Sequence, residues 1–355
     1  FIKATRGWVK LKVDADRDTS WELKTRYKVG GYPTVVMADY EGGELARITG
    51  YRKPEEFIAT VEKAWAARDQ SFDKLVARAR AGDAKAADLA GTTLMERRDF
   101  EAALDILPAT PENARARDAA QIGVLEKEET RGVPGAKEKL SAALNQSIAA
   151  FPSTPESVEY RARLAELTQS KEPLEAAAKI AEELSTQPGK LKGLDYTAGD
   201  LLQMAAGYRE DLEQKKESQA LWRRAAAYYK NSAAHATDRG AHLELAYCLW
   251  KAGDDAEATR IYERFEKKFP QEFTFYYGHG SMLLALKRAP EAERAARKAL
   301  EFAYGDNRLR TAGLLAKSLR DQGKKEDARA AIQEAIASAK LPADIESHME
   351  QGVRT

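Results

Sequence analysis

The sequence predicts a mainly helical protein: a short α/β segment over residues 1–66, then an α-solenoid of helical pairs. Three observations carry this prediction. Val9, Leu11 and Val13 alternate with Lys10 and Lys12, the period of a half-buried strand. From about residue 70 onward strand patterns vanish, and Ala-rich helical sequence is broken only by short Gly, Asp or Pro turns. Across those helices a single layout recurs, with acid-Ala pairs at Glu257-Ala258, Glu291-Ala292 and Asp327-Ala328, spaced 34 and 36 residues apart. The chain is thus read as residues 1–66, degenerate helical repeats over 67–238, and regular repeats with a C-terminal tail over 239–355.

The first segment reads strand, helix, strand, strand, helix. After the strand at Val9–Val13, Thr19 and Glu22 have capping-box spacing, so a helix is expected there. Leu23 and Tyr27, four apart, form its inner face, and Gly30-Gly31 ends it. Thr34 to Met37 is a short apolar run with strand character, and Glu41-Gly42-Gly43 suits a hairpin turn. Glu44 to Gly50 returns, with Leu45 and Ile48 as its best apolar positions. Pro54 with Glu55 and Glu56 opens a helix, because proline tolerates the first turn and acids complement the dipole. Its apolar stripe is Phe57, Ile58, Val61, Ala64 and Trp65.

The helical region repeats small residues where paired helices must touch. Ala246, Leu249 and Gly253 precede Glu257-Ala258, Gly280 and Leu283 precede Glu291-Ala292, and Ala316, Leu319 and Gly323 precede Asp327-Ala328. With Tyr262 and the closing Pro270, this layout over 239–340 resembles the tetratricopeptide repeat. Looser copies are read at Leu89-Ala90 with Glu101-Ala102, at Glu175-Ala176, and at Gln219-Ala220. The loops fall at Pro108–Pro111, Phe151–Pro155 and Gln187–Gly189. The resemblance implies a stacked solenoid, since one helical pair cannot bury its apolar face alone.

Composition removes several function classes. Lys+Arg (57) and Asp+Glu (56) nearly balance, so no excess positive charge points to nucleic acid. No apolar run approaches the ~18 residues of a membrane span. The four histidines are dispersed, with only His235 and His242 able to share a helix face, and no metal-ligand motif is present. Gly278-His279-Gly280 sits in helical sequence, and no phosphate-cradling loop appears, so neither a metal nor another cofactor is expected. The single cysteine, Cys248, lies among apolar residues and reads as an inert core thiol. The chain opens on Phe1 without a signal-peptide layout or a helix cap, which predicts a natural start upstream.

The run Val29 to Asp39, with the hairpin and the Arg47–Tyr51 and Pro54–Phe57 segments, resembles the second half of a thioredoxin-like domain of bacterial disulfide-reducing systems. The resemblance implies that Pro33 is the family's cis-proline and that Tyr32, Pro33 and Thr34 form its substrate loop. It implies a Cys-x-x-Cys ahead of Phe1, hence no catalytic residue in this chain. It also implies thiol-disulfide exchange, or thiol-dependent folding assistance, on protein clients recruited by the repeats, in a periplasmic or other extracytoplasmic compartment. The cytoplasm stays open, as does oligomeric state. Since redox-inactive members exist, the alternative is a non-enzymatic protein–protein interaction scaffold.

A second candidate site lies in the repeats. By repeat register Tyr247, Trp250, Tyr277, Leu284, Arg310, Lys317 and Arg320 fall on first helices facing the concave side. Aromatic anchors beside basic groups suit an extended peptide with an acidic or carboxylate end. The competing reading is ordinary repeat packing with solvated arginines. Leu243 and Tyr247 stand where the peptide clamp of chaperone-binding repeats needs basic and amide residues, so that specific clamp is not expected.

Overall fold

The computed structural model describes residues 3–13, 20–29, 33–50, 54–66, 68–192, 194, 196–232, 239–304 and 306–339. The chain divides into two compact units, one within Phe1–Ser147 and one at Ile148–Ala339. The elements are α1 (Trp21–Arg26), β1 (Thr34–Ala38), β2 (Glu44–Thr49), α2 (Pro54–Ala66), α3 (Phe72–Arg80), α4 (Ala84–Glu96), α5 (Phe100–Ile106), α6 (Ala114–Thr130) and α7 (Ala136–Ala150). They continue with α8 (Pro155–Thr168), α9 (Glu172–Ser185), α10 (Ala198–Asp211), α11 (Lys215–Ser232), α12 (Arg239–Ala252), α13 (Asp255–Lys268), α14 (Phe273–Ala285), α15 (Ala289–Phe302), α16 (Asp306–Asp321) and α17 (Lys325–Ser338). No helix among the described residues is long and apolar enough to cross a membrane.

In the first unit β1 and β2 form the expected hairpin, antiparallel with Thr34 opposite Thr49 and Val35 opposite Ile48. The turn follows from its residues. Gly42 takes φ +81°, and the Asp39 carboxylate accepts the amides of Gly43 (2.7 Å) and Glu41 (3.0 Å). Met37 and Ile48 are buried with Val61 and Ala64 of α2, and Trp8 meets Trp65 edge-on at 5.4 Å.

Two expectations fail here. Residues 9–13 form no strand; Val9, Leu11 and Val13 are 98%, 77% and 41% exposed. Alternation favours a strand only where a neighbouring strand supplies hydrogen bonds, and among the described residues none lies beside this segment. The sheet therefore has two strands rather than three, and the thioredoxin-like half-domain is not established. The inner face of α1 also differs: its buried residue is Lys24 rather than Leu23 or Tyr27, and Ser20 stands at its N-cap with no side-chain cap. Thr19, Gly30 and Gly31 lie outside the described residues.

The sequence reading also missed what β2 buries. Glu44 and Arg47 are enclosed, with side chains 1% and 2% exposed, and pair through two bonds of 2.7 and 2.8 Å. Arg97, at the C-cap of α4, reaches the same carboxylate and lies 3.9 Å over the Phe72 ring. Arg47 also donates to the carbonyl of Tyr27 at 2.5 Å. This network joins the hairpin to α3 and α4, whose core continues through Leu75, Ala90, Leu94, Ala103 and Ala120. Helices approach closely where side chains vanish: a Cβ on Gly91 would stand 2.3 Å from Leu107.

The second unit is a run of helical hairpins, α8/α9, α10/α11, α12/α13, α14/α15 and α16/α17. Residues 239–338 thus form three stacked pairs, as the recurrence predicts. The recurring small residues sit at the crossings: Ala246, Ala258, Ala292 and Gly280 are buried, and Gly280 stands against Ala292, Ala295 and Leu314. The turn inside each pair carries one residue in the left-handed region: Gln169, Glu213, Gly253, Lys287 and Gly323, at φ 56°, 62°, 90°, 62° and 79°. The pair boundaries at α8 and α10 are set by capping boxes, Thr154 with Ser157 and Thr197 with Asp200. Tyr262, Phe265 and Phe275 fill the core between α13 and α14.

Candidate protein-binding groove

The first helices of the pairs line one face. α12 packs on α14 and α14 on α16, and Gln203 of α10 reaches Glu244 of α12 at 2.9 Å. The second helices α11, α13, α15 and α17 make no comparable contact with one another among the described residues. The first helices thus neighbour one another from α10 to α16, and the candidate residues Tyr247, Trp250, Tyr277, Leu284, Arg310, Lys317 and Arg320 lie on α12, α14 and α16.

Tyr247 and Trp250 stand together. Tyr247 is exposed on α12, edge-on to Trp250 at 5.6 Å and to Trp222 of α11 at 5.5 Å. Trp250 is half-buried against the main core, so it contributes packing as well as surface. Trp222 is buried, and its indole N–H has no acceptor among the described residues. Lys251 pairs with Glu210 at 2.6 Å and lies 5.7 Å over the Trp222 ring. Burial, more than any neighbouring charge, raises the Tyr247 hydroxyl above its ordinary value.

Tyr277, Leu284 and Arg310 form the next group. Tyr277 and Leu284 pack half-buried on Leu314 and Leu315, and the Arg310 guanidinium lies 4.4 Å over the Tyr277 ring. Arg310 and Lys317 are exposed and have no ion pair among the described residues. Their seven-residue separation on α16 puts them roughly 10 Å apart on one face. Arg320, also exposed, is engaged by Asp321 at 3.3 Å.

Sequence reasoning missed the polar chain beside this face. The Tyr229 hydroxyl donates to Asp200 at 2.7 Å, and the Gln203 amide donates to Tyr229 (3.0 Å) and to Glu244 (2.9 Å). The only local signal was Thr197-x-x-Asp200, which reads as a helix cap and is one. Gln203 and Glu244 are 41 residues apart, so no local pattern could join them.

The remaining candidates are resolved by position. Cys248 is fully buried, and burial, then the carboxylate of Glu244, pushes its thiol up. His242 is buried against Phe265 at 4.2 Å, and His235 lies outside the described residues. Among the described residues no group of three or more potential metal ligands is assembled. Pro33 is exposed ahead of β1, its carbonyl accepting the Gly50 amide at 2.8 Å, and Thr34 begins the strand. Tyr32, and with it the Tyr32–Pro33 bond, lies outside the described residues.

A tetratricopeptide repeat profile matches residues 250–307 and 314–353. No curated protein sequence matches the chain. Among solved structures, a tetratricopeptide repeat protein from Parabacteroides merdae is 13% identical, with 80% of this chain and 98% of that one covered and a TM-score of 0.44. The assembly chaperone of RpL4 (Acl4) is 15% identical over 79% of this chain and 94% of that one, with a TM-score of 0.30. MamA of AMB-1 is 16% identical over 46% of this chain and 82% of that one, with a TM-score of 0.28. The chain carries tetratricopeptide-type repeats in a helical-repeat fold, an architecture of protein–protein interaction.

Proposed function

We propose that this chain is a protein-interaction scaffold whose first-helix groove holds an extended segment of a partner protein. Tyr247, Trp250, Tyr277 and Leu284 supply the apolar floor, and Arg310, Lys317 and Arg320 draw carboxylates. These residues lie on α12, α14 and α16 of the second unit. The observation that carries the reading is Arg310 over Tyr277: an exposed guanidinium held on an aromatic face, with no carboxylate of its own among the described residues. A cation fixed in this way has already lost side-chain freedom, so a partner carboxylate meets a preorganised donor.

The test uses a synthetic peptide with aromatic and leucine side chains and an acidic C-terminus. Binding to the full chain is expected to weaken about tenfold or more in Trp250→Ala and severalfold in Arg310→Gln. An Arg310→Gln melt equal to wild type with lost affinity supports the groove. Retained affinity in both variants refutes it.

A second reading, thiol-disulfide exchange, is favoured by the position of Pro33 directly before β1 and by the strand–strand–helix order of residues 34–66. It needs a Cys-x-x-Cys pair, with Tyr32, Pro33 and Thr34 aligning the client, whereas this chain holds the single buried Cys248. The discriminating observation is whether a Cys-x-x-Cys is encoded ahead of Phe1.

A further inference from the structure

The groove face changes sign along its length. Over α10 and α12, Asp200 and Glu244 have no cationic partner among the described residues; they accept hydrogen bonds from Thr197, Tyr229 and Gln203. Tyr229 and Gln203 bridge the two carboxylates and fix both in place. Their field reaches the neighbouring groups. Burial and then the bond to Asp200 raise the Tyr229 hydroxyl, and burial and then Glu244 raise that of Tyr262. Over α16 the uncompensated charges are positive, those of Arg310 and Lys317. The aromatic residues Tyr247 and Tyr277 stand on α12 and α14, between the two charged ends.

We infer that the occupant is an extended protein segment with segregated charge, its lysine or arginine side chains over Asp200 and Glu244 and its carboxylates over Arg310 and Lys317. The inference rests on the groove reading above. Two carboxylates bridged by a hydroxyl and an amide suit an ammonium or guanidinium; a divalent metal needs more oxygen ligands than this pair offers. A uniformly acidic segment meets repulsion at Asp200 and Glu244, and a uniformly basic one meets it at Arg310 and Lys317. Like-charge exclusion at both ends thus selects for charge order as well as composition. Packed helix axes lie about 8–10 Å apart, so Glu244 on α12 and Arg310 on α16 are separated by roughly 16–20 Å, the reach of roughly five or six extended residues.

The experiment titrates the full chain with two synthetic peptides of identical composition. One carries Lys-Arg and Asp-Glu pairs separated by a roughly six-residue apolar spacer; the other interleaves the same charges. The segregated peptide is expected to bind about tenfold more tightly. Asp200→Asn with Glu244→Gln, and separately Arg310→Gln with Lys317→Gln, are each expected to remove most of that advantage. Replacing either charged pair of the peptide by serine gives the same comparison without touching the fold. Equal affinity for the two peptides, both lost in Trp250→Ala, overturns the charge order while sustaining the groove. Binding by neither peptide overturns both. An advantage that survives both pairs of substitutions also overturns the inference.

Discussion

Glu44→Gln is the sharpest test of what holds the first unit together. The substitution removes the negative charge shared by Arg47 and Arg97 and leaves two guanidinium groups facing a neutral amide in a site closed to water. Breaking a buried pair by removing one partner costs about 3–5 kcal/mol. For a unit of this size each kcal/mol moves the midpoint by about 2–4 °C, giving a drop of roughly 6–20 °C. Calorimetry of the full chain reads this as a loss confined to one transition, since the hairpin, α3 and α4 meet at this network and unfold with it. The control is Arg320→Gln, whose exposed bond to Asp321 is worth under about 1 kcal/mol. A Glu44→Gln shift no larger than the control refutes the reasoning.

The pH dependence has a fixed sign. Burial alone pushes the Glu44 carboxyl up, but the hydrogen bonds and charges of Arg47 and Arg97 outweigh it and hold it below its ordinary value. The folded value is thus below the unfolded one, near 4.3. The contribution is fully present above that unfolded value and is lost as pH falls through the folded one. The gap in midpoint between wild type and Glu44→Gln therefore narrows as pH drops below about 4.3.

Three further outcomes are expected. Lys287→Gly relieves a left-handed residue in the α14–α15 turn and raises stability by about 0.5–1 kcal/mol, read as a higher urea midpoint. Gly199→Ala places a Cβ 2.5 Å from the Tyr228 ring and 2.7 Å from Tyr229, lowering stability by about 1–3 kcal/mol in the same assay. Cys248 resists thiol reagents until the chain unfolds, and insulin reduction by this chain stays at background; turnover that survives Cys248→Ala contradicts this.

The helical architecture was legible because its signals are local and periodic. Gly253, Gly280, Gly323 and the acid-Ala pairs mark turns and crossings that any stacked helical pair must make, and they recur often enough to reinforce one another. The β-hairpin was legible for the same reason, through Gly42-Gly43 between two apolar runs. The Val9–Val13 strand was misread because alternation states only which face a strand would bury; pairing depends on a neighbour the local sequence does not name. Leu45 and Ile48 read as the strand's apolar positions, whereas the burial of Glu44 and Arg47 involves Arg97, about fifty residues away, which no local pattern names. The candidate groove residues could be named because repeat register alone puts them on first helices, whereas the Asp200–Tyr229–Gln203–Glu244 chain exists only once three helices are in place.

The central claim is that the first helices of the repeats hold an extended protein segment. Photo-crosslinking tests it most directly, using the charge-segregated peptide with a photoreactive residue at the centre of its spacer and mass spectrometry to locate the adducts on the full chain. The account predicts crosslinks on α12 and α14, centred on Tyr247, Trp250 and Tyr277. Crosslinks concentrated on α13, α15 and α17, or scattered evenly over the chain, contradict it.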